Sequence, residues 1–455
     1  MSSKGVILVG GSSVGTRFRP LSMDCPKPLF PVAGVPMIYH HVAALAKLPS
    51  IKEILLVGFF DNSVFDRFLT EVQMEFYNIS IRYLREYQSL GTGGGIYHFR
   101  DEIMRGNPDH IFVMNADICS SFPLQQMLDF STKIPSAVAT VLGIKVDRST
   151  VRKYGCLVVD PATNEVNHFV EKPETYISDL ISCGLYLFSK DIFDIIRDAI
   201  IHRQAAAREA GETEENATVP RQLSTSASST SLANMSTSKG LDERIRLEQD
   251  VLAPLAGQGK LFAYIGSAPD DFWMQIKTGS SAIPANKAYL QHFRSHQPRR
   301  LSTSTRSSAA VPSLAAVNGA PPPEPEIIQP VYIHPTAMIH PTAKVGPNVS
   351  IGPRVLIGRG VRIRDSIILD SSEIRNDAAV IHSIVGWDSK VGAWARVEGQ
   401  PGDAHAVNAT LKGTKIPSAT ILGKDVTVAD EVVIRNCIVL PHKELKSSFH
   451  NEILM

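Results

Sequence analysis

The sequence predicts an α/β domain built on an open sheet, followed by a parallel β-helix. Three observations carry this. Short β-rich runs alternate with amphipathic stretches over residues 1–200. Glycine-rich or acidic motifs follow three of those runs, where open α/β sheets place ligands. From Ile333 onward, apolar residues recur at every sixth position.

Composition narrows the class. The chain has 455 residues, 44% of them hydrophobic, with 46 basic against 45 acidic side chains. That length allows two or three domains with ample cores. The charge balance offers no electrostatic reason for nucleic acid or an acidic membrane as partner. Cys25, Cys119, Cys156, Cys183 and Cys437 are scattered without a C-x-x-C pair. An odd, dispersed set suggests reduced thiols inside the cell. There is no signal-peptide pattern and no apolar run of spanning length, so the expected location is cytoplasmic.

The first strand, Gly5–Val9, runs into Gly10-Gly11 and a basic, hydroxyl-rich loop that ends at Pro26-Lys27-Pro28. Bare backbone N–H groups and cations at the end of a buried strand suit a phosphate. The loop matches neither of the commonest phosphate fingerprints. Ile54–Gly58, Ile79–Tyr83 and Ile111–Asn115 read as further strands. Pro36–Leu48 places Ile38, Val42, Leu45 and Leu48 on one helical face, and Ser63–Phe76 reads similarly. The alternation implies a mostly parallel sheet. Leu90–Gly95 and Asn115-Ala116-Asp117 are expected in loops at strand ends.

Residues 203–240 are rich in Ser, Thr, Ala and Glu and are expected to be a mobile insertion. The α/β pattern resumes at Leu241–Ala256, continues through Leu261–Ile265 and ends near Ser295. The nucleotide-binding domain is therefore expected over 1–295, a flexible linker over 296–328 and the repeat domain over 329–455. Ile333, Ile339, Val345, Ile351, Ile357, Ile363 and Leu369 are six apart, and Ala337, Ala343, Val349, Val355 and Val361 repeat in step. This is the hexapeptide repeat of a stacked parallel β-helix. The rhythm slips near Ser371, and Gly399–Lys415 interrupts it with a polar loop. His40-His41, on a helix, and His334 and His340, in repeat turns, are read as structural.

With those motifs in place, the chain resembles the nucleotide-sugar pyrophosphorylases, and within them the mannose-1-phosphate guanylyltransferases (GDP-mannose pyrophosphorylases). The family signature G-G-x-G-T-R-L-x-P-L-T-x-x-x-P-K-P is matched by Gly10-Gly11, Gly15–Ser22 and Pro26-Lys27-Pro28. Leu90–Gly93, Asn115–Asp117, Tyr154-Gly155 and Phe169–Pro173 follow in the family's order. Alone, Glu-Lys-Pro is usually a solvated turn and Asn-Ala-Asp often a helix cap. Their order and company reverse that reading. The resemblance implies a Rossmann-like, GT-A-like nucleotidyltransferase domain followed by a left-handed β-helix.

By the same resemblance, Gly10, Gly11 and Arg17 face phosphates and Lys27 steadies the reacting phosphoryl group. Arg17 and Lys27 are the catalytic candidates if the chain turns over. Glu86, Gly91, Thr92 and Gly93 lie against the base. Asn115 and Asp117 form a further motif, in which Asp117 is one of two aspartates that hold Mg²⁺. Gly155, Glu171 and Lys172 hold the sugar phosphate. A carboxylate at Glu86 suits guanine, whose N1–H and N2 amine are adjacent donors.

Three departures fall in the site. Gly11-Ser12-Ser13-Val14-Gly15 has two more residues between its glycines than catalytic relatives have. Trp273-Met274-Gln275-Ile276-Lys277 stands where they carry W-M-D-[IV]-G, so a neutral Gln replaces the second magnesium ligand. Ser182-Cys183-Gly184 stands for Asn-Ala-Gly beside the sugar. The pattern implies a pocket that retains GDP-mannose, with Gln275 and Glu86 as contacts and no cofactor required for binding. The resemblance then implies a regulatory subunit in homo- and hetero-oligomers with a catalytic beta subunit. The alternatives are a Mg²⁺-dependent guanylyltransferase in its own right, and an assembly subunit resembling those of a translation-factor exchange complex.

Overall fold

The computed structural model describes residues 2–10, 16–88, 90–215, 244–266, 271–301, 324–401, 410–411, 414–415 and 419–455. By packing, the chain forms two compact units. The first comprises Met1–Gly10, Leu48–Met114 and Gln125–Ile265; the second comprises Gly11–Lys47, Asn115–Leu124 and Gly266–Met455.

The first unit is a nine-stranded sheet with helices. Strands β1 (Ser3–Gly10), β2 (Ile51–Gly58) and β3 (Ser80–Arg85) are parallel neighbours. Beyond β1 lies β4 (His110–Asn115). Helices α2 (Ser63–Glu75) and α3 (Gly91–His98) lie between these strands in the chain. The strand positions expected from the sequence agree to within a few residues.

The far half of the sheet differs from the mostly parallel one expected. It contains β6 (Ala139–Lys145), β7 (Gly155–Val159), β8 (Val166–Glu171), β9 (Leu180–Ser189) and β10 (Leu261–Ile265). β8 pairs with β7, and β9 with β4 and β6, all antiparallel, while β10 runs parallel to β6. For β7 and β8 the reason is connection length. The few residues between β7 and β8 can close a hairpin but cannot make a helical crossover.

The core of this unit brings Val6, Leu55, Val113 and Val141 together with Ile245 and Leu247. Helix α4 (Ile192–Glu215) also extends past position 203, where mobile chain was expected. Its Gln-Ala-Ala-Ala-Arg-Glu-Ala run consists of good helix formers. Residues 216–240 lie outside the described residues.

In the second unit, α1 (Met37–Leu45) and α5 (Ala282–His296) flank a two-stranded ladder of β5 (Ile118–Ser120) and β11 (Trp273–Gln275). The His40 ring stacks on Tyr289 at 3.7 Å and faces the Val32 carbonyl. His334 and His340 face Thr336 and Thr342 across their turns. These contacts are structural, in keeping with the sequence reading.

The repeats build three parallel sheets of seven, seven and six strands, the stacking of a left-handed parallel β-helix. Val345, Ile363, Val380, Val397 and Ile434 stack in one buried column. The slip near Ser371 is a coil one residue shorter than its predecessor. In consequence Ile368, not the expected Leu369, is the register partner of Ile351. Leu369 is nonetheless buried. The coil between Val397 and Ile434 is much longer and contains the polar interruption. Buried Ser366, Ser372, Ser383 and Ser389 donate to backbone carbonyls, so the polar rungs are satisfied. Asn348, Asp365, Asp377, Asp388 and Asn436 turn coil corners at positive φ, which Asn and Asp tolerate best.

Asn286 on α5 joins this β-helix to the loop before α1. Its Oδ1 accepts from Ala33 N–H and from Ser350 Oγ, both at 2.8 Å, and its Nδ2 donates to the Asn348 carbonyl at 3.3 Å. It is fully buried. Asn286→Ala would strand two buried donors, so urea denaturation of the variant is expected to show a loss of about 2–4 kcal/mol. A loss below about 0.5 kcal/mol would mean the junction is held by apolar packing alone.

Candidate functional site

In the second unit the site is built by the β5–β11 ladder. Gln275 pairs with Ile118, and Ile276 N–H donates to the Asp117 carbonyl at 2.9 Å. That register sets the Gln275 side chain against Asp117. Its Nε2 donates to Asp117 Oδ1 at 3.0 Å and to Oδ2 at 3.2 Å. Lys27 Nζ reaches the same Oδ2 at 2.9 Å from a short 3₁₀ turn between two prolines. Lys27, Asp117 and Gln275, far apart in sequence, thus form one half-buried cluster.

Asn115 enters through its backbone. The fully buried His41 ring has one nitrogen 3.2 Å from the Met37 carbonyl and the other 3.1 Å from that of Asn115. Burial pushes the His41 pKa down to about 4, although the Met37 and Asn115 carbonyls and Asp117 oppose the shift. A neutral imidazole carries one N–H, so it pins helix α1 or the Asn115 turn, depending on tautomer. Arg17 is exposed. Gly11 lies outside the described residues.

The donor set does not fit a divalent cation as it stands. One carboxylate is present, and an ammonium and an amide N–H already occupy it. Among the described residues no group of three His, Cys, Asp or Glu forms a metal-ligand cluster. Hard cations such as Mg²⁺ need oxygen donors, and a lysine ammonium beside the carboxylate competes for it.

In the first unit, Gly10 ends β1 at φ 100°, a conformation that favours glycine. Its carbonyl accepts from Phe59 N–H at 3.1 Å. Glu86 follows β3 and is 9% exposed. Its carboxyl lies over α3, where a Cβ added at Gly95 would meet Oε1 at 2.0 Å. Burial raises its pKa to about 7, and no hydrogen bond from a described residue opposes that.

Gly91, Thr92 and Gly93 are not a loop, as expected, but the first turn of α3. Their glycine requirement has a structural cause. A Cβ at Gly91 would come within 2.4 Å of the Ile245 carbonyl, and one at Gly93 within 2.9 Å of the Ile245 side chain. The Thr92 hydroxyl accepts from Leu247 N–H at 2.9 Å.

Gly155 and Glu171 are register partners in the β7–β8 hairpin. A Cβ at Gly155 would lie 2.9 Å from Glu171 Oε2. Lys172, at φ 51°, pairs with Glu171 at 2.6 Å and donates its backbone N–H to the Tyr154 carbonyl. Cys183 and Gly184 sit at an irregularity in the β9–β6 pairing. Sequence reading missed two neighbours, Tyr186 and Glu248, whose side chains are 3.0 Å apart. A carboxylate at the return of the α/β pattern after a low-complexity stretch was the available signal.

Against known proteins, the family model for nucleotidyl transferases matches residues 4–291, and that for the GMPPB C-terminal domain matches 327–454. The chain is 48% identical to a Danio rerio mannose-1-phosphate guanylyltransferase regulatory subunit alpha-A, over 99% of this chain and all of that one. It is 48% identical to a Xenopus laevis mannose-1-phosphate guanyltransferase alpha-A and 46% identical to a Sus scrofa regulatory subunit alpha, each over 99% of this chain and all of the other. Among the described residues no helix is long and apolar enough to cross a membrane. The chain belongs to the nucleotidyl transferase family, among the relatives of the mannose-1-phosphate guanylyltransferase alpha subunits.

Proposed function

We propose that this chain is a regulatory subunit that binds GDP-mannose as a product sensor and conveys feedback inhibition to a catalytic beta subunit in the cytoplasm. One observation carries the reading. Gln275 and Lys27 already satisfy the Asp117 carboxylate where a catalytic relative would place a second aspartate for Mg²⁺. The family reaction joins a sugar-1-phosphate oxygen to the α-phosphate of a nucleoside triphosphate and expels pyrophosphate. That step depends on positioning and charge neutralisation. An ammonium and an amide hydrogen-bond a bound diphosphate without a metal, but they do not replace the cation's charge as pyrophosphate departs. The names of the relatives agree with a partner enzyme.

Calorimetric titration with GDP-mannose, with and without Mg²⁺, is the direct test, run beside a turnover assay with GTP and mannose-1-phosphate. Metal-independent binding without turnover is expected. Magnesium-dependent release of pyrophosphate by the purified chain would establish an enzyme instead. Gln275→Asp alone should restore no turnover, because the Gly11–Gly15 loop departs from the catalytic pattern as well; full activity from that single change would refute this account.

Glu86 supplies a pH signature. Only the ionised carboxylate accepts both guanine donors, and the free group titrates near 7. Affinity for GDP-mannose should therefore fall as pH drops through 7, by about tenfold between pH 8 and pH 6. A carboxyl whose pKa is raised on folding opposes folding increasingly as pH climbs from its unfolded value toward its folded one. Glu86→Gln should thus raise Tm at pH 8, do so less at pH 5, and abolish the pH dependence of binding. A pH-independent affinity in the unmodified chain would remove Glu86 from the base contact.

A further inference from the structure

The described chain returns after residue 243 as a strap, Ile245–Asp250, whose bonds run in two directions. Toward α3, Ile245 N–H donates to the Leu90 carbonyl at 2.9 Å, and the Ile245 carbonyl accepts from Gly93 and Gly94 at 2.9 and 3.4 Å. Leu247 N–H donates to Thr92 Oγ1 at 2.9 Å. In the other direction, Glu248 Oε1 accepts from the fully buried Tyr186 hydroxyl at 3.0 Å, and the Leu247–Leu252 turn packs on β8, the strand that ends at Glu171. That segment is a π-helix, a rare, wide form frequently found at functional sites. Asp250 fastens its base, accepting from Arg246 N–H at 2.7 Å and pairing with Arg203 at 2.9 Å.

The Leu90 carbonyl, the Thr92 hydroxyl and the Gly93 and Gly94 N–H groups are thereby bonded to the strap, and the strap's Glu248 carboxylate is bonded to Tyr186. Burial raises the Glu248 pKa; the nearby Glu171 adds to the rise and the nearby Lys172 opposes it. The Leu247–Leu252 segment packs on β8, so a change in the position of Glu248 bears on the strand that ends at Glu171.

We propose that the Ile245–Asp250 strap is a positioning element, with Glu248 as its positioning residue, that couples the Thr92–Gly94 turn of α3 to the Glu171–Lys172 pair. The proposal rests on the reading that these two groups take the nucleotide and the sugar phosphate of one ligand. Under it, recognition of the nucleotide and recognition of the sugar are linked energetically.

The test uses the full chain and the variants Glu248→Ala, Tyr186→Phe and Thr92→Val, titrated with GMP and with GDP-mannose. GMP carries neither the mannose nor the phosphate attached to it, so a purely local role for Glu248 would leave GMP affinity unchanged. The strap predicts at least a fivefold loss for GMP in Glu248→Ala. It also predicts that the Thr92→Val, Glu248→Ala double variant is no weaker than the worse single one. Hydrogen exchange at the Gly93, Gly94 and Leu247 amides gives a ligand-free readout, expected to quicken tenfold or more in Glu248→Ala and Tyr186→Phe and to be restored in Glu248→Gln, whose amide oxygen still accepts from Tyr186.

If the unmodified chain binds and the variants are additive, with GMP affinity intact, the strap is overturned and the function reading stands. If the unmodified chain binds neither compound, the function reading fails and the ligand coupling fails with it. Unchanged amide exchange would then overturn the strap's mechanical role as well.

Discussion

The short antiparallel ladder between Ile118–Ser120 and Trp273–Gln275 is the constraint on which the second unit turns. Its register delivers Gln275 to Asp117 across more than a hundred residues of intervening chain, and it starts the limb that continues into α5. From α5, Asn286 ties the loop before α1 to the first complete coils of the β-helix. The residues that meet Asp117 and the repeat domain therefore belong to one packed body. A slip of one residue in the ladder would turn Gln275 to the opposite face and leave the Asp117 carboxylate with Lys27 alone.

A neutral amide in place of a carboxylate changes what such a cluster does. Two carboxylates close together repel and call for a cation; a carboxylate between an amide and an ammonium is already at rest. Lys27 and Lys172 are both cations, paired with the Asp117 and Glu171 carboxylates respectively.

The first unit uses glycine for close packing as much as for ligand approach. Gly91 and Gly93 are small because Ile245 passes directly over them, and Gly95 because the Glu86 carboxyl lies on it. That carboxyl is buried without a partner among the described residues, an arrangement that costs stability once it ionises. Such a cost is consistent with a group kept for a ligand.

The sequence by itself determined the periodic parts: the parallel strands of the first unit and the sixfold repeat, because burial on one face writes a period into the chain. Motif order also singled out Lys27, Asp117 and Gln275 as site candidates, though not their contacts with one another. Tertiary structure decided what carries no local period. In the far half of the sheet β7 and β8 are antiparallel because the connection between them is short. One shortened coil moves the register to Ile368. The glycine-rich stretch became a helix start because an incoming strap supplied partners for its N–H groups. Glu248 and Tyr186 meet only through the fold. A contact between residues 62 positions apart leaves no trace in either neighbourhood, since the free energy that selects it comes from packing and desolvation after the elements have assembled.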